Sequence, residues 1–170
     1  ASAGKRSGGI LTTKDLERYK PTWREPLQST YREKYTVYAM PSPSSGGIVI
    51  ITVLNILEGF DLTSMGYTWR SLHIITEALK HAFADRATWL GDADFVKVPT
   101  ERLTSVKYAE TLRAKIDKEK TKGVKSYGSS KPPKDDSGTT HVSILDAKGN
   151  MLGCPTTINT TFGSMVYVPE

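Results

Sequence analysis

Thr139 stands where a polar stretch gives way to a strand-like run, in Gly138-Thr139-Thr140-His141 followed by Val142-Ser143-Ile144-Leu145-Asp146. A chain cut between Gly138 and Thr139 exposes a threonine that carries both a hydroxyl and a free α-amine. Nucleophile and base then sit on one residue. The cut can use the same hydroxyl. It attacks the Gly138 carbonyl, the acyl group shifts from nitrogen to oxygen, and water releases the ester. Glycine before the bond gives the backbone freedom to take the strained geometry. Afterwards the α-amine, with a pKa of about 7.7–8.0, can take the hydroxyl proton near neutral pH.

The residues that follow can position such a group. Ala147-Lys148-Gly149 joins the run Thr139–Asp146 to a second run, Met151–Asn159, and Gly149 suits the left-handed position of a three-residue hairpin loop. Pairing Asp146 with Asn150 across that loop sets Thr139 opposite Thr157; a bulge at Gly149 would shift the register by one. Residues two apart on a strand share a face, so Thr157 and Asn159 point the same way. Thr157 could hold the nucleophile's orientation, and Asn159 offers two donors and an acceptor to a polar substrate. The bland alternative is that a threonine-rich hairpin reflects β-propensity alone.

Upstream of the hairpin the chain is mostly helical. Thr12 is placed to cap a short helix that Pro21 stops. Strand-like runs at about Trp23 to Tyr31 and Lys34 to Met40 follow, and Pro26 makes the first an edge strand or a late starter. After the break Pro41–Gly47, the run Ile48 to Phe60 is apolar on nearly every side and predicts a buried helix. Gly46 and Gly47 at its start allow close approach of another backbone. The serines and glycines there suit either anion binding or plain capping.

Trp69 to Leu90 predicts a longer helix with Leu72, Ile75, Leu79, Phe83 and Leu90 as its apolar stripe, ended by Gly91. His73, Glu77 and His81 share one face of it. That spacing could serve a metal, but no further ligand is evident, so a surface row of polar residues is expected. Ser105 to Lys120 predicts a third helix with Val106, Ala109, Leu112 and Ile116 inward. Residues 121–138 are poor in apolar types and predict a flexible, exposed linker ending at the cut.

At 170 residues and a net charge of +5, the composition is that of an ordinary globular domain or a piece of one. Lys118, Lys120, Lys122, Lys125, Lys131 and Lys134 crowd one stretch. Only Tyr127 interleaves as a stacking aromatic, so a solvated linker is expected there and no nucleic acid partner. Cys154 is alone and assigns no compartment. No apolar run approaches a membrane span of about twenty residues. The chain opens at Ala1 without methionine or signal peptide, as an excised segment would.

These motifs resemble, in order, those of the γ-glutamyltranspeptidase family of N-terminal-nucleophile hydrolases. The likeness runs through Gly8-Gly9-Ile10-Leu11, Trp23–Leu27, Pro41–Gly47, Leu54–Gly59, Ala82-Phe83-Ala84-Asp85-Arg86, Leu90-Gly91-Asp92, Thr139-Thr140-His141, Gly149-Asn150, Thr157-Ile158-Asn159 and Phe162-Gly163-Ser164. The resemblance implies a precursor that cleaves itself into a large and a small subunit. Residues 1–138 are similar to the end of the large subunit, with 1–120 mostly helical, and residues 139–170 to the beginning of the small one. It implies an α+β fold, part of an αββα sandwich that is incomplete in this chain. Thr139 matches the nucleophile, Thr157 the threonine that hydrogen-bonds it and supports processing, and Asn159 a residue that binds the γ-glutamyl group. The implied partners are glutathione or another γ-glutamyl compound and an amino-acid or dipeptide acceptor, with no metal or organic cofactor. The implied compartment is periplasmic or extracellular.

The sequence departs from the family at one conspicuous place. Pro155 stands two residues before Thr157, where the family carries threonine, and proline removes a donor from the ladder. The family's later small-subunit glycine pair and acidic and serine residues do not occur here, nor does the early large-subunit arginine. One missing oxyanion donor typically costs about a hundredfold in rate. The same residues therefore also fit a truncated or degenerate non-catalytic module, and an acylase acting on another side-chain amide. The incomplete sandwich leaves strand edges open to self-association.

Overall fold

The computed structural model describes residues 9–128 and 139–157. The chain divides into two compact units, one of Trp23–Pro132 and one of Ala1–Thr22 with Pro133–Glu170.

The first unit begins with an antiparallel pair, β1 (Leu27–Tyr31) and β2 (Tyr35–Ala39), in the register Leu27↔Ala39 to Tyr31↔Tyr35. β1 starts after Pro26, as a strand must when its first residues lack a donor. The chain reverses with Arg32 and Glu33 both left-handed, at φ 54° each. That costly turn is tied down from outside: the Arg32 N–H donates to Glu58 Oε1 at 2.6 Å and Arg32 Nη2 to the Phe60 carbonyl at 2.7 Å.

The pair packs on α2 (Gly46–Leu57), the buried helix expected from its continuous apolar run. Gly47 is where this packing is closest. A Cβ there would lie 2.0 Å from the Met40 carbonyl oxygen, so only glycine fits. Thr52 and Asn55 interrupt the apolar run and are partnered across it: Thr52 Oγ1 donates to the Leu103 carbonyl at 2.9 Å and Asn55 Nδ2 to the Thr104 carbonyl at 2.8 Å, while Asn55 Oδ1 is buried without a hydrogen bond among the described residues.

A single turn, α3 (Leu62–Met65), leads to α4 (Trp69–Trp89), which starts at a capping box formed by Thr68 and Ser71. Its buried face is only partly the expected one, with Ile75 and Leu90 packed on the core cluster. Leu72, Leu79 and Phe83 are 42%, 38% and 46% exposed, while Ser71, Ile74, Glu77, Ala78, His81 and Ala82 are buried. Both sets recur every three to four residues. The small side chains win because Ala78 and Ala82 let α4 approach α2, joining Val49, Val53, Ile56 and Ile74 in one core cluster.

A short turn α5 (Thr100–Leu103) and α6 (Val106–Arg113) close the cluster with Ala109 and Leu112. α6 ends seven residues before the expected Lys120. The Asp117 carboxylate accepts the N–H groups of Glu119 and Lys120 at 2.9 and 3.1 Å, a local turn that competes with helix. Residues 121–128 are mostly exposed, yet they contain a 3-10 turn (Val124–Tyr127) anchored onto α4.

The second unit contains α1 (Thr13–Arg18), capped by Thr12 and Asp15 in a reciprocal box, and the hairpin β3 (Thr139–Leu145) and β4 (Met151–Thr157). Among the described residues no helix is long and apolar enough to cross a membrane.

Candidate active site

The β3–β4 hairpin sets the geometry around Thr139. Asp146 organises its loop. Its N–H donates to the Asn150 carbonyl at 3.0 Å, while its carboxylate accepts the Lys148 and Asn150 N–H groups and the Asn150 amide. Those bonds, led by the one from the Asn150 side chain, hold the Asp146 carboxyl below its ordinary pKa. Gly149 takes φ 83°, the left-handed position expected of it. The loop thereby fixes the register, and Thr139 pairs with Thr157.

Hydrogen-bonded and open pairs alternate along an antiparallel ladder. Counting from the Asp146–Asn150 bond, Thr139–Thr157, His141–Pro155 and Ser143–Gly153 are open pairs. In open pairs the side chains of opposite residues come closest, at a Cα separation of about 4.5 Å. Strand alternation then gives the hairpin two unlike faces. His141, Ser143, Leu145, Met151 and Thr157 share one, on which His141 Nε2 lies 2.9 Å from Ser143 Oγ. Val142, Ile144, Leu152 and Cys154 share the other with Thr140 and Thr156, an exposed face that is apolar toward the loop end.

The pairing also changes what Pro155 means. It was expected to remove a ladder donor in the strand that faces Thr139. As an open-pair residue, its nitrogen faces away from β3, so the hairpin loses no bond. The donor it removes belongs to the outer edge of β4. Gly138 and Asn159 lie outside the described residues.

A second polar cluster sits within the larger unit, on the face of α4 that was expected at the surface. Glu77 and His81 are only 1% and 3% exposed, and His73 is half-buried with Nε2 2.9 Å from the Asp117 carbonyl oxygen. Glu77 Oε1 accepts from Lys80 Nζ at 2.7 Å and from Thr121 Oγ1 at 2.5 Å, and Oε2 from the Tyr127 hydroxyl at 2.5 Å. Burial alone would raise the Glu77 pKa. The bonds from Lys80, Thr121 and Tyr127 outweigh it and bring it down to about 2. The His81 ring stands edge-on to Tyr127 at 4.9 Å, and burial, with Lys115 and Lys122 nearby, lowers its pKa.

Among the described residues no group of three or more His, Cys, Asp or Glu could hold a metal. The partners of Glu77 were missed in the sequence. The available signal was a carboxylate on the same stripe as Ile74 and Ala78, which cannot be buried unpaired.

The fold and the threonine-led hairpin define a class: an α+β segment of an N-terminal-nucleophile hydrolase. Residues 1–170 match the Gamma-glutamyltranspeptidase family description throughout. The chain is 43% identical over 167 residues to the glutathione hydrolase proenzyme of Escherichia coli K12, covering 97% of this chain and 29% of that protein. The crystal structure of Helicobacter pylori γ-glutamyltranspeptidase superposes at a TM-score of 0.68 with 35% identity, over 79% of this chain and 40% of that one. Cephalosporin acylase from Bacillus halodurans superposes at 0.75 with 31% identity, over 97% of this chain and 28% of that one. The chain belongs to the γ-glutamyltranspeptidase family, and spans less than a third of the curated relative it matches at 29% coverage.

Proposed function

We propose that this chain carries the self-cleaving junction of a glutathione hydrolase or γ-glutamyltransferase. The observation that carries the proposal is the pairing of Thr139 with Thr157 at the head of β3, in a chain that matches the family from end to end. The Thr139 hydroxyl attacks the Gly138 carbonyl, its proton passes to the departing nitrogen, and water hydrolyses the ester. Thr139 then bears a free amine that deprotonates its own hydroxyl for attack on a γ-glutamyl amide. Thr157 orients that hydroxyl and Asn159 holds the glutamyl group. Water or an amino-acid or dipeptide acceptor takes the acyl group. In this scheme residues 1–120 are large-subunit scaffold, 121–138 lead to the cut and 139–170 open the small subunit. The proposed compartment is periplasmic or extracellular.

The likeness to a cephalosporin acylase over 97% of the chain supports a second reading, the same nucleophile acting on another acyl amide.

Intact mass of freshly purified protein, followed over time with N-terminal sequencing of any fragment, tests the junction. The expected result is a new chain beginning at Thr139 that does not form in Thr139→Ala. A lasting single chain overturns the proposal and favours a non-catalytic module. Assaying the cut protein on a γ-glutamyl anilide and on a cephalosporin amide then separates hydrolase from acylase.

A further inference from the structure

Residues 121–126 are exposed and Tyr127 is half-buried, so this segment has no apolar anchor of its own. A short set of polar bonds holds it to α4 within the larger unit. Thr121 Oγ1 and the Tyr127 hydroxyl donate to different oxygens of Glu77, and Lys80 Nζ donates to Thr121 Oγ1. The Tyr127 hydroxyl also accepts the Lys122 N–H at 3.1 Å, and Lys122 Nζ donates to the Lys115 carbonyl at 2.5 Å. The Lys122 amide therefore reports directly on whether Tyr127 is docked.

His81 lies against the docked Tyr127. Its ring is buried, and Nδ1 has no hydrogen-bond partner among the described residues. A neutral imidazole tolerates this by leaving Nδ1 unprotonated. An imidazolium does not, because both its nitrogens are donors and a buried charged donor without an acceptor is costly. The surrounding charges divide. Lys115, just after α6, and Lys122, on the segment itself, oppose a further positive charge. Glu77, one turn back on α4, favours it, but both its oxygens are already engaged by Lys80, Thr121 and Tyr127. Asp85, one turn on, is bound to the Tyr108 hydroxyl. Burial leads this balance and lowers the His81 pKa.

We propose that residues 121–127 form an acid-released strap: protonation of His81 expels Tyr127, and the segment lifts from α4 while the core cluster stays packed. Water then reaches the ring and accepts its new N–H. The docked state disfavours the proton, so the strap is fully held above the ordinary histidine value of 6.5 and loosens as pH falls below it. One proton at one site limits the loosening to about tenfold per pH unit. The release requires nothing of the Gly138–Thr139 bond and stands whether or not that bond is cut.

Hydrogen exchange of the purified chain at about pH 7.5 and about pH 5.5, each rate divided by the intrinsic rate at that pH, tests the strap. Protection of the Lys122 amide is expected to fall about threefold to tenfold at the lower pH, with α2 amides more protected than Lys122 throughout. His81→Gln cannot gain the proton, and its Lys122 protection is expected to be equal at the two pH values. Protection of Lys122 that does not change with pH in the unaltered chain overturns the proposal. That comparison needs no variant, so a misfolded His81→Gln does not shield the strap from it. A common rate for Lys122 and α2 at the lower pH also overturns it, because acid then unfolds the whole unit. A fall that persists in His81→Gln overturns the assignment to His81.

Discussion

At the scale of single residues, the geometry that matters is two threonines meeting in an open pair of the ladder. The register sets Thr157 opposite Thr139, the proposed nucleophile, and under that proposal the Thr157 hydroxyl orients it. Thr157→Ala is therefore expected to slow the cut about tenfold, the worth of one hydrogen bond, whereas Thr157→Ser stays within about threefold. Equal slowing of the two would mean that the methyl group, not the hydroxyl, is what counts, and unaltered rates in both that Thr157 has no part in the cut. Pro155 invites the opposite expectation. Its missing donor faces away from β3, so Pro155→Thr should change the cutting rate by less than about threefold, and a gain of a hundredfold would show that the outer edge of β4 controls the site. The register was legible in advance because a three-residue loop with glycine in the left-handed position permits few pairings. The harmless placement of Pro155 was not, since it depends on which pairs are open, and that parity follows from the Asp146–Asn150 bond.

Among the elements, the decisive contact is the pair α2 and α4. Gly47→Ala drives a Cβ to 2.0 Å from the Met40 carbonyl and is expected to destabilise the larger unit by about 1–3 kcal/mol or more, read as a lower melting temperature. Gly46→Ala is the control: its Cβ meets only Ser44 Oγ at 3.8 Å, and the change should be neutral or stabilising by up to about 1 kcal/mol. Equal losses would place the close approach elsewhere. The existence of both helices could be read from their apolar periodicity, but the inward face of α4 could not. Leu72, Leu79 and Phe83 look like a core stripe because hydrophobicity scores size, whereas helix approach rewards the small Ala78 and Ala82. Burial of that face also gives α4 its pH response. His81 is neutral in the fold with a lowered pKa, so the unfolded chain takes up its proton first, and stability falls as pH drops below its ordinary value of 6.5. Glu77 contributes stability fully present above its ordinary 4.5, lost as pH falls toward about 2. Lys80, raised above its ordinary pKa by its bond to Glu77, stays charged throughout, and Lys115 and Lys122 lie near His81. His81→Gln should flatten the first loss and leave the second, in melting curves taken from pH 8 to 3.

The whole chain contains two regions of unlike stability. The core cluster, from Val49 to Leu112, belongs entirely to the larger unit. All seven residues of β4 are exposed, and a lone two-stranded hairpin is marginal in water. The chain covers 29% of the Escherichia coli relative's length, and a sheet face gains its stability from the layer packed on it. Hydrogen exchange should therefore show α2 and α4 amides protected to the limit set by global unfolding, and β3 and β4 amides exchanging far faster. The apolar face of the hairpin, with Val142, Ile144 and Leu152 exposed, provides the exception. If strand edges or that face pair between chains, hairpin protection rises with protein concentration while that of α2 does not. Measured across a dilution series, protection that is low and constant leaves the hairpin as an uncovered layer. Protection that climbs with concentration makes self-association the means by which this chain holds Thr139 and Thr157 in register.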